Sequence, residues 1–234
     1  MLRTLLAGCA LAVLAAAGWA ADLPDPDAAG LTLSQRFEAL IARIGIEQER
    51  LRTLEARFVQ RKESELLLAP EESRGTFSYR APDDLRWDYD APTNVVVLVG
   101  PEEMVTWYRD LNRVERMRVG RQKDHVLKFL GAGASFDTLR RYFTVSATFP
   151  KDRSEPYVLT LEPGSSRVAR RIASMSLRLD RELFVPVFVR FVEPGGDVTE
   201  LSFEDLRVNG EIPDERFELE LPAGVEEVVL ELGG

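Results

Sequence analysis

Apolar and polar positions fall into two regimes along this chain. From Leu31, the residues Phe37, Leu40, Ile41 and Ile44 recur at helical spacing. With Thr32 or Ser34 as N-cap, that spacing predicts an amphipathic helix to about Ile44, closed near Gly45. A second helical stretch is expected to carry Ile46, Leu51 and Leu54, with Glu47, Glu49, Arg50 and Arg52 on a solvated face. Period-two patterning then dominates. It predicts strands over 56–67, 74–80, 85–90, 95–99, 104–109 and 113–119, with turn signals at Gly75, Pro82, Pro92, Gly100-Pro101 and 110–112. Residues 122–143 interrupt with helical spacing at Val126, Leu127 and Leu130, and again at Phe136, Leu139 and Tyr142. Strands resume over 143–149, 157–161, 172–179, 184–192 and 198–206, with a last one near 217–221. A sheet of about eleven antiparallel strands is expected to curl, because flat sheets of ten or more strands are uncommon. The helical stretches have apolar faces that need cover, and the open face of a curled sheet is the place available.

The densest patterning is the segment 75–89, GTFSYRAPDDLRWDY. Phe77 and Tyr79 alternate with Thr76 and Ser78, and Leu85, Trp87 and Tyr89 alternate with Arg86 and Asp88. This reads as a hairpin with one apolar face, turned at Pro82, which has no N–H to lose to a ladder. Residues 95–99 are apolar on both faces. One side is expected to line an interior and the other to lie beneath a helix. A glutamate at Leu85 or Trp87 is expected to block ligand uptake while leaving the fold intact.

The N-terminus changes the picture of where the chain works. Arg3 precedes an apolar run over 5–17, and Gly18-Trp19-Ala20 supplies small residues where a signal peptidase reads, so residues 1–20 are expected to be a cleaved signal peptide. Cys9, the single cysteine, follows Leu6-Ala7-Gly8, which also looks like a lipobox; the apolar run continuing past it favours cleavage after Ala20. The run is shorter than the ~18 residues of a spanning helix. Residues 21–30, rich in Pro and Asp, are expected to be a flexible leader, and residues 31–234 a single domain. The formal charge of −9 argues against nucleic acid and against polybasic attachment to anionic lipid.

Catalysis finds little support. His125 is the single histidine, no cysteine lies beyond Cys9, and no serine sits in a G-x-S-x-G turn, so nucleophile-base pairs and metal clusters have no candidates. Asp83-Asp84, Glu102-Glu103 and Glu226-Glu227 read as turn or surface charges. No cofactor is expected, and the chain is expected to be a monomer.

Phe58-Val59-Gln60, the 75–89 hairpin, the strand ending at Gly100, Trp107-Tyr108, the segment 195–203 (GGDVTELSF), Asn209, Ile212-Pro213, Phe217 and 221–225 (LPAGV) together resemble the periplasmic outer-membrane lipoprotein carrier family, LolA. The resemblance implies a mainly β fold with α: an incomplete, unclosed antiparallel β-barrel whose helical lid encloses a hydrophobic cavity. It also implies a periplasmic, non-enzymatic chaperone. Such a protein binds the acyl chains of lipoproteins, receives them from an inner-membrane release complex and delivers them to an outer-membrane acceptor. With alternation, this makes Phe58, Phe77, Tyr79, Leu85, Trp87, Tyr89 and Val97 candidate cavity residues. Phe37, Leu40, Ile41, Val126, Leu127, Phe129 and Leu130 are candidate lid contacts. The lid is expected to pack inside when empty and to swing out when loaded. Characterised carriers tend to have a basic residue directly before the turn proline; here it is Ala81, with Arg80 one residue earlier. Arg80 and Arg86 are therefore candidates for a transfer role. The departure leaves open a divergent carrier of another lipid, or a lipid-sensing or scaffold module that binds a partner protein.

Overall fold

The computed structural model describes residues 23–118 and 136–230. Helix α1, Leu33–Arg50, opens on a capping box: Thr32 Oγ1 accepts from the Gln35 N–H at 3.3 Å, and the Thr32 N–H donates to Gln35 Oε1 at 2.9 Å. The expected stop at Gly45 is not there. The helix runs through it, spanned by an Arg43–Glu47 ion pair of 2.7 Å one turn apart and anchored by buried Leu40 and Ile44. A mid-helix glycine costs only about 1 kcal/mol, less than the burial of either neighbour gains. Leu54, expected on a second helix, belongs to the first strand.

That strand, β1 (Thr53–Glu63), begins a meander through β2 (Glu71–Arg80), β3 (Asp84–Tyr89), β4 (Val95–Val99), β5 (Glu103–Tyr108) and β6 (Arg113–Arg118). After α2 (Phe136–Tyr142), a second meander runs through β7 (Phe143–Thr148), β8 (Tyr157–Pro163), a one-turn helix α3 (Ser166–Ala169), β9 (Ser174–Leu179), β10 (Pro186–Val192) and β11 (Val198–Val208). A 3-10 helix, Asp214–Phe217, and β12 (Glu226–Leu230) follow.

The result is one unclosed twelve-stranded sheet in the order β12-β6-β5-β4-β3-β2-β1-β11-β10-β9-β8-β7. Pairing of β1 with β11 joins the two meanders at the centre. A bulge marks this seam: the step from Glu55 to Arg57 on β1 faces the step from Arg207 to Glu204 on β11, with Asp205 at φ +53°. Bulges bend the strand that carries them, which helps the sheet wrap around α1.

Two expectations fail at the C-terminus. Residues 217–221 are not a strand, and the real last strand, β12, pairs with β6 in parallel. The alternation Phe217-Leu219-Leu221 is genuine, but the segment crosses the outer face of the sheet. There the Arg86 guanidinium donates to the carbonyl oxygens of Arg216 and Glu218 at 3.0 and 2.9 Å. Side-chain donors satisfy this backbone where a neighbouring strand would otherwise be needed. This segment, led by the 3-10 helix that ends at Phe217, approaches the outer side of β4, where Leu98 and Phe217 line one cleft.

Candidate functional site

The concave side of the sheet is a continuous apolar chamber filled by α1. Leu40 and Ile44 meet Phe58, Phe77, Tyr79, Leu85 and Trp87 in one buried cluster, with Ile41, Tyr89 and Val97 partly buried against it. Phe37 is half-buried. Cross-strand register explains the grouping. Tyr79 faces Leu85, Phe77 faces Trp87 and Gly75 faces Tyr89; on the next pair Leu85 faces Val99 and Trp87 faces Val97. Residues directly opposite on antiparallel strands share a face, so the alternation written in 75–89 carries through to β4.

Rings dominate this wall. Trp87 lies 4.8 Å from Phe58 and 4.5 Å from Phe77, and Phe58 lies 5.0 Å from Tyr89. Gly75 makes room for them. A Cβ there would stand 1.8 Å from the Asp88 carbonyl oxygen and 3.0 Å from the Phe58 ring. Phe203 completes the set, 5.9 Å from both Phe77 and Trp87. It is not among the cavity residues named from the sequence, although Leu201 and Phe203 alternate there; its placement needs the β1–β11 pairing, where Phe203 faces Phe58.

Polar groups are few on this side. The Tyr89 hydroxyl donates to Gln60 Oε1 at 2.7 Å, and burial pushes its pKa up to about 12. The Trp87 indole N–H is buried without an acceptor among the described residues. With Leu85 fully buried and Trp87 1% exposed, a glutamate at either would bury an unpaired charge. The expectation that such variants keep the fold is therefore overturned on physical grounds. Val126, Leu127, Phe129 and Leu130 lie outside the described residues, as do residues 1–22.

Arg80 and Arg86 stand on the opposite face, as alternation places them. Arg80 pairs with Asp84 at 2.8 Å and Asp214 at 2.5 Å, and lies over the Phe217 ring. Ala81 packs against the chamber cluster. Arg86 belongs to a clamp around Asp88, whose carboxylate accepts from Arg86 at 2.7 and 3.1 Å and from Arg109 at 3.1 Å, with Arg216 Nη1 at 3.0 Å. Arg216 also donates to Ser78 Oγ and Thr76 Oγ1, pinning the 3-10 helix to β2. Burial of Asp88 opposes its ionisation, but the arginines outweigh it and hold the carboxyl below its usual range. The sequence carries no local sign of Arg216's role, since its partners are more than a hundred residues away.

The leader is the other correction. Residues 23–30 are fastened to the barrel, with Pro26 buried. The Asp27 carboxylate pairs with Arg36 of α1 at 2.6 Å and with Arg181 at 2.7 Å, and accepts from the Tyr157 hydroxyl at 2.8 Å. Arg181 in turn lies 4.6 Å over the Tyr157 ring. One carboxylate thus ties the N-terminal segment, α1 and the β8 to β10 half of the sheet together.

This chamber presents a large apolar surface, and comparison with known proteins gives the chain a family. Residues 49–220 match the family model for the outer membrane lipoprotein carrier protein LolA. The chain belongs to this family. A LolA-family relative from Alkalilimnicola ehrlichii, named outer-membrane lipoprotein carrier protein, is 30% identical over 78% of this chain and 79% of its own. Another of the same name, from Pseudomonas entomophila, is 23% identical over 85% of this chain and 92% of its own. The crystal structure of an uncharacterized conserved protein from Thermus thermophilus shares the fold at TM-score 0.52 and 10% identity, over 80% of this chain and 97% of that one. In this LolA-family chain no helix among the described residues is long and apolar enough to cross a membrane.

Proposed function

We propose that this chain is a periplasmic, non-enzymatic carrier that takes the acyl chains of lipoproteins into the concave chamber and moves them from the inner to the outer membrane. The observation that carries this reading is the seating of α1: a helix whose Leu40 and Ile44 fill the apolar hollow of an open sheet. An acyl chain of ~15 methylenes gains roughly 12 kcal/mol on full burial. Lifting two fully buried aliphatic side chains out of the hollow costs roughly 3–6 kcal/mol on the same scale. The difference corresponds to roughly micromolar binding, tight enough to hold cargo and loose enough to release it. The lid therefore sets affinity by competing with the ligand for one surface.

An inner-membrane release complex loads the carrier and an outer-membrane acceptor unloads it. Arg80 and Arg86, already engaged on the outer face, act in transfer by holding the C-terminal segment in place. Native mass spectrometry of the protein purified gently from its host envelope tests the reading. An adduct with the mass of an acylated protein, lost on delipidation, supports it. A free-lipid adduct makes the chain a carrier of another lipid, and an empty chain in a stable one-to-one protein complex refutes transport in favour of a scaffold.

A further inference from the structure

Within the chamber cluster, the described residues leave one buried side-chain donor without an acceptor: the Trp87 indole N–H. A buried donor left unpaired carries the full desolvation penalty of that group, so nearly every one in a folded protein finds a partner. The surroundings explain why this one does not. The rings of Phe77, Phe58 and Phe203 lie 4.5, 4.8 and 5.9 Å from the indole, and ring faces are weak acceptors. Leu40 and Ile44, the α1 side chains in the same cluster, have none to offer. The Tyr89 hydroxyl and Gln60 Oε1 are bonded to each other at 2.7 Å.

The wall itself has two parts. Across β1 to β3 it is built from rings, with Trp87, Tyr89 and Gln60 bringing polar atoms to it. Across the middle of β8 to β10 it is aliphatic, with Leu159, Leu161, Leu177 and Val189 buried in the same cluster. A ligand with one polar end and a long apolar tail fits that division one way round. We propose that the Trp87 N–H donates to the carbonyl oxygen of an acyl ester or amide, whose chain runs from there toward β8 to β10. The chamber thereby prefers acyl groups joined to a head over hydrocarbon of the same length. While α1 is seated the donor stays unpaired, which weighs against the empty state; a bound carbonyl relieves it, so the same group favours exchange of helix for cargo. Trp107 supplies a contrast. Its indole N–H is also unpaired, but it stands on the outer face, opposite Val96 and Val114 and outside the chamber cluster. The proposal deepens the carrier reading and rests on it.

The test compares methyl laurate with an alkane of equal length on the purified protein carrying isotopically labelled tryptophan. With the ester bound, the Trp87 indole proton resonance is expected downfield of its position with the alkane bound, while the Trp107 resonance is the same with both. Affinities measured by displacement of a fluorescent probe give a second reading. The ratio of ester to alkane affinity, in which ligand solubility cancels between proteins, should fall about tenfold in Trp87→Phe. A Trp87 resonance at one place with both ligands, or a ratio unchanged in a folded variant, overturns the proposal. If circular dichroism shows the variant unfolded, the resonance alone decides. Binding of neither ligand to the natural sequence refutes the carrier reading and this proposal with it; binding of both with one indole position refutes the Trp87 assignment alone.

Discussion

Replacing Asp88 with asparagine removes the charge that Arg86, Arg109 and Arg216 share, while keeping the shape of the side chain. The four contacts to this carboxylate, from 2.7 to 3.1 Å, are charge-assisted, and its side chain is only 14% exposed. Hydrogen bonds to a charged group are worth roughly 1.5–3 kcal/mol each. Asparagine still accepts at one oxygen but removes the negative charge that the three guanidinium groups share. A loss of about 2–4 kcal/mol follows once the partial exposure of Arg109 and Arg216 is allowed for. At ~2–4 °C per kcal/mol for a domain of this size, the melting temperature should fall by roughly 4–16 °C at neutral pH. The sign with pH is fixed by the depressed pKa of Asp88. Its stabilisation is fully present above the unfolded-state value near ~3.9 and disappears as pH falls through the folded value. Melting curves of both proteins from neutral pH to strong acid should therefore converge at the acid end. A gap that is absent at neutral pH, or that persists undiminished in acid, would refute the clamp.

Gly75→Ala should cost at least about 3 kcal/mol, the upper range for overpacking, because the new Cβ meets backbone at Asp88; recovery of the melting temperature by adding Phe58→Leu would show the ring, not the strand, to be the obstacle. Asp27→Asn should speed hydrogen exchange over residues 23–32 and the first turn of α1, since it weakens the ties to Arg36 and Arg181. The same loosening should appear in the natural sequence in acid, because Asp27 titrates below its usual range: burial resists ionisation, but Tyr157 and the arginines prevail. Unchanged exchange would remove the strap from the account. Tyr89 stays neutral to about 12 in the folded chain. Its contribution is thus complete below the unfolded value near ~10 and is lost as pH rises through 12; Tyr89→Phe should lose stability less steeply over that alkaline span, and identical slopes would argue against burial of the hydroxyl.

Most elements, and the faces they present, were legible in the chain alone. Strand alternation at Phe77, Tyr79, Leu85, Trp87 and Tyr89 is a local property, and it put these side chains on the face that the structure fills with α1. The Thr32–Gln35 cap and the helical run of Leu40 and Ile44 were equally local. Long-range pairing settled what no local period encodes. Phe203 reaches the chamber only because β11 pairs with β1, and β12 lies parallel to β6 because the C-terminal segment first crosses the outer face. Gly45 and residues 217–221 carry real stop and strand signals, each overruled by a gain from elsewhere: burial of Leu40 and Ile44 in one case, the Arg86 guanidinium in the other. The Asp27 and Asp88 hubs join charges more than a hundred residues apart, and charged side chains in a sequence look alike whether they face water or one another. Periodicity reports which side of an element is apolar, whereas the partner that covers it is chosen by long-range packing.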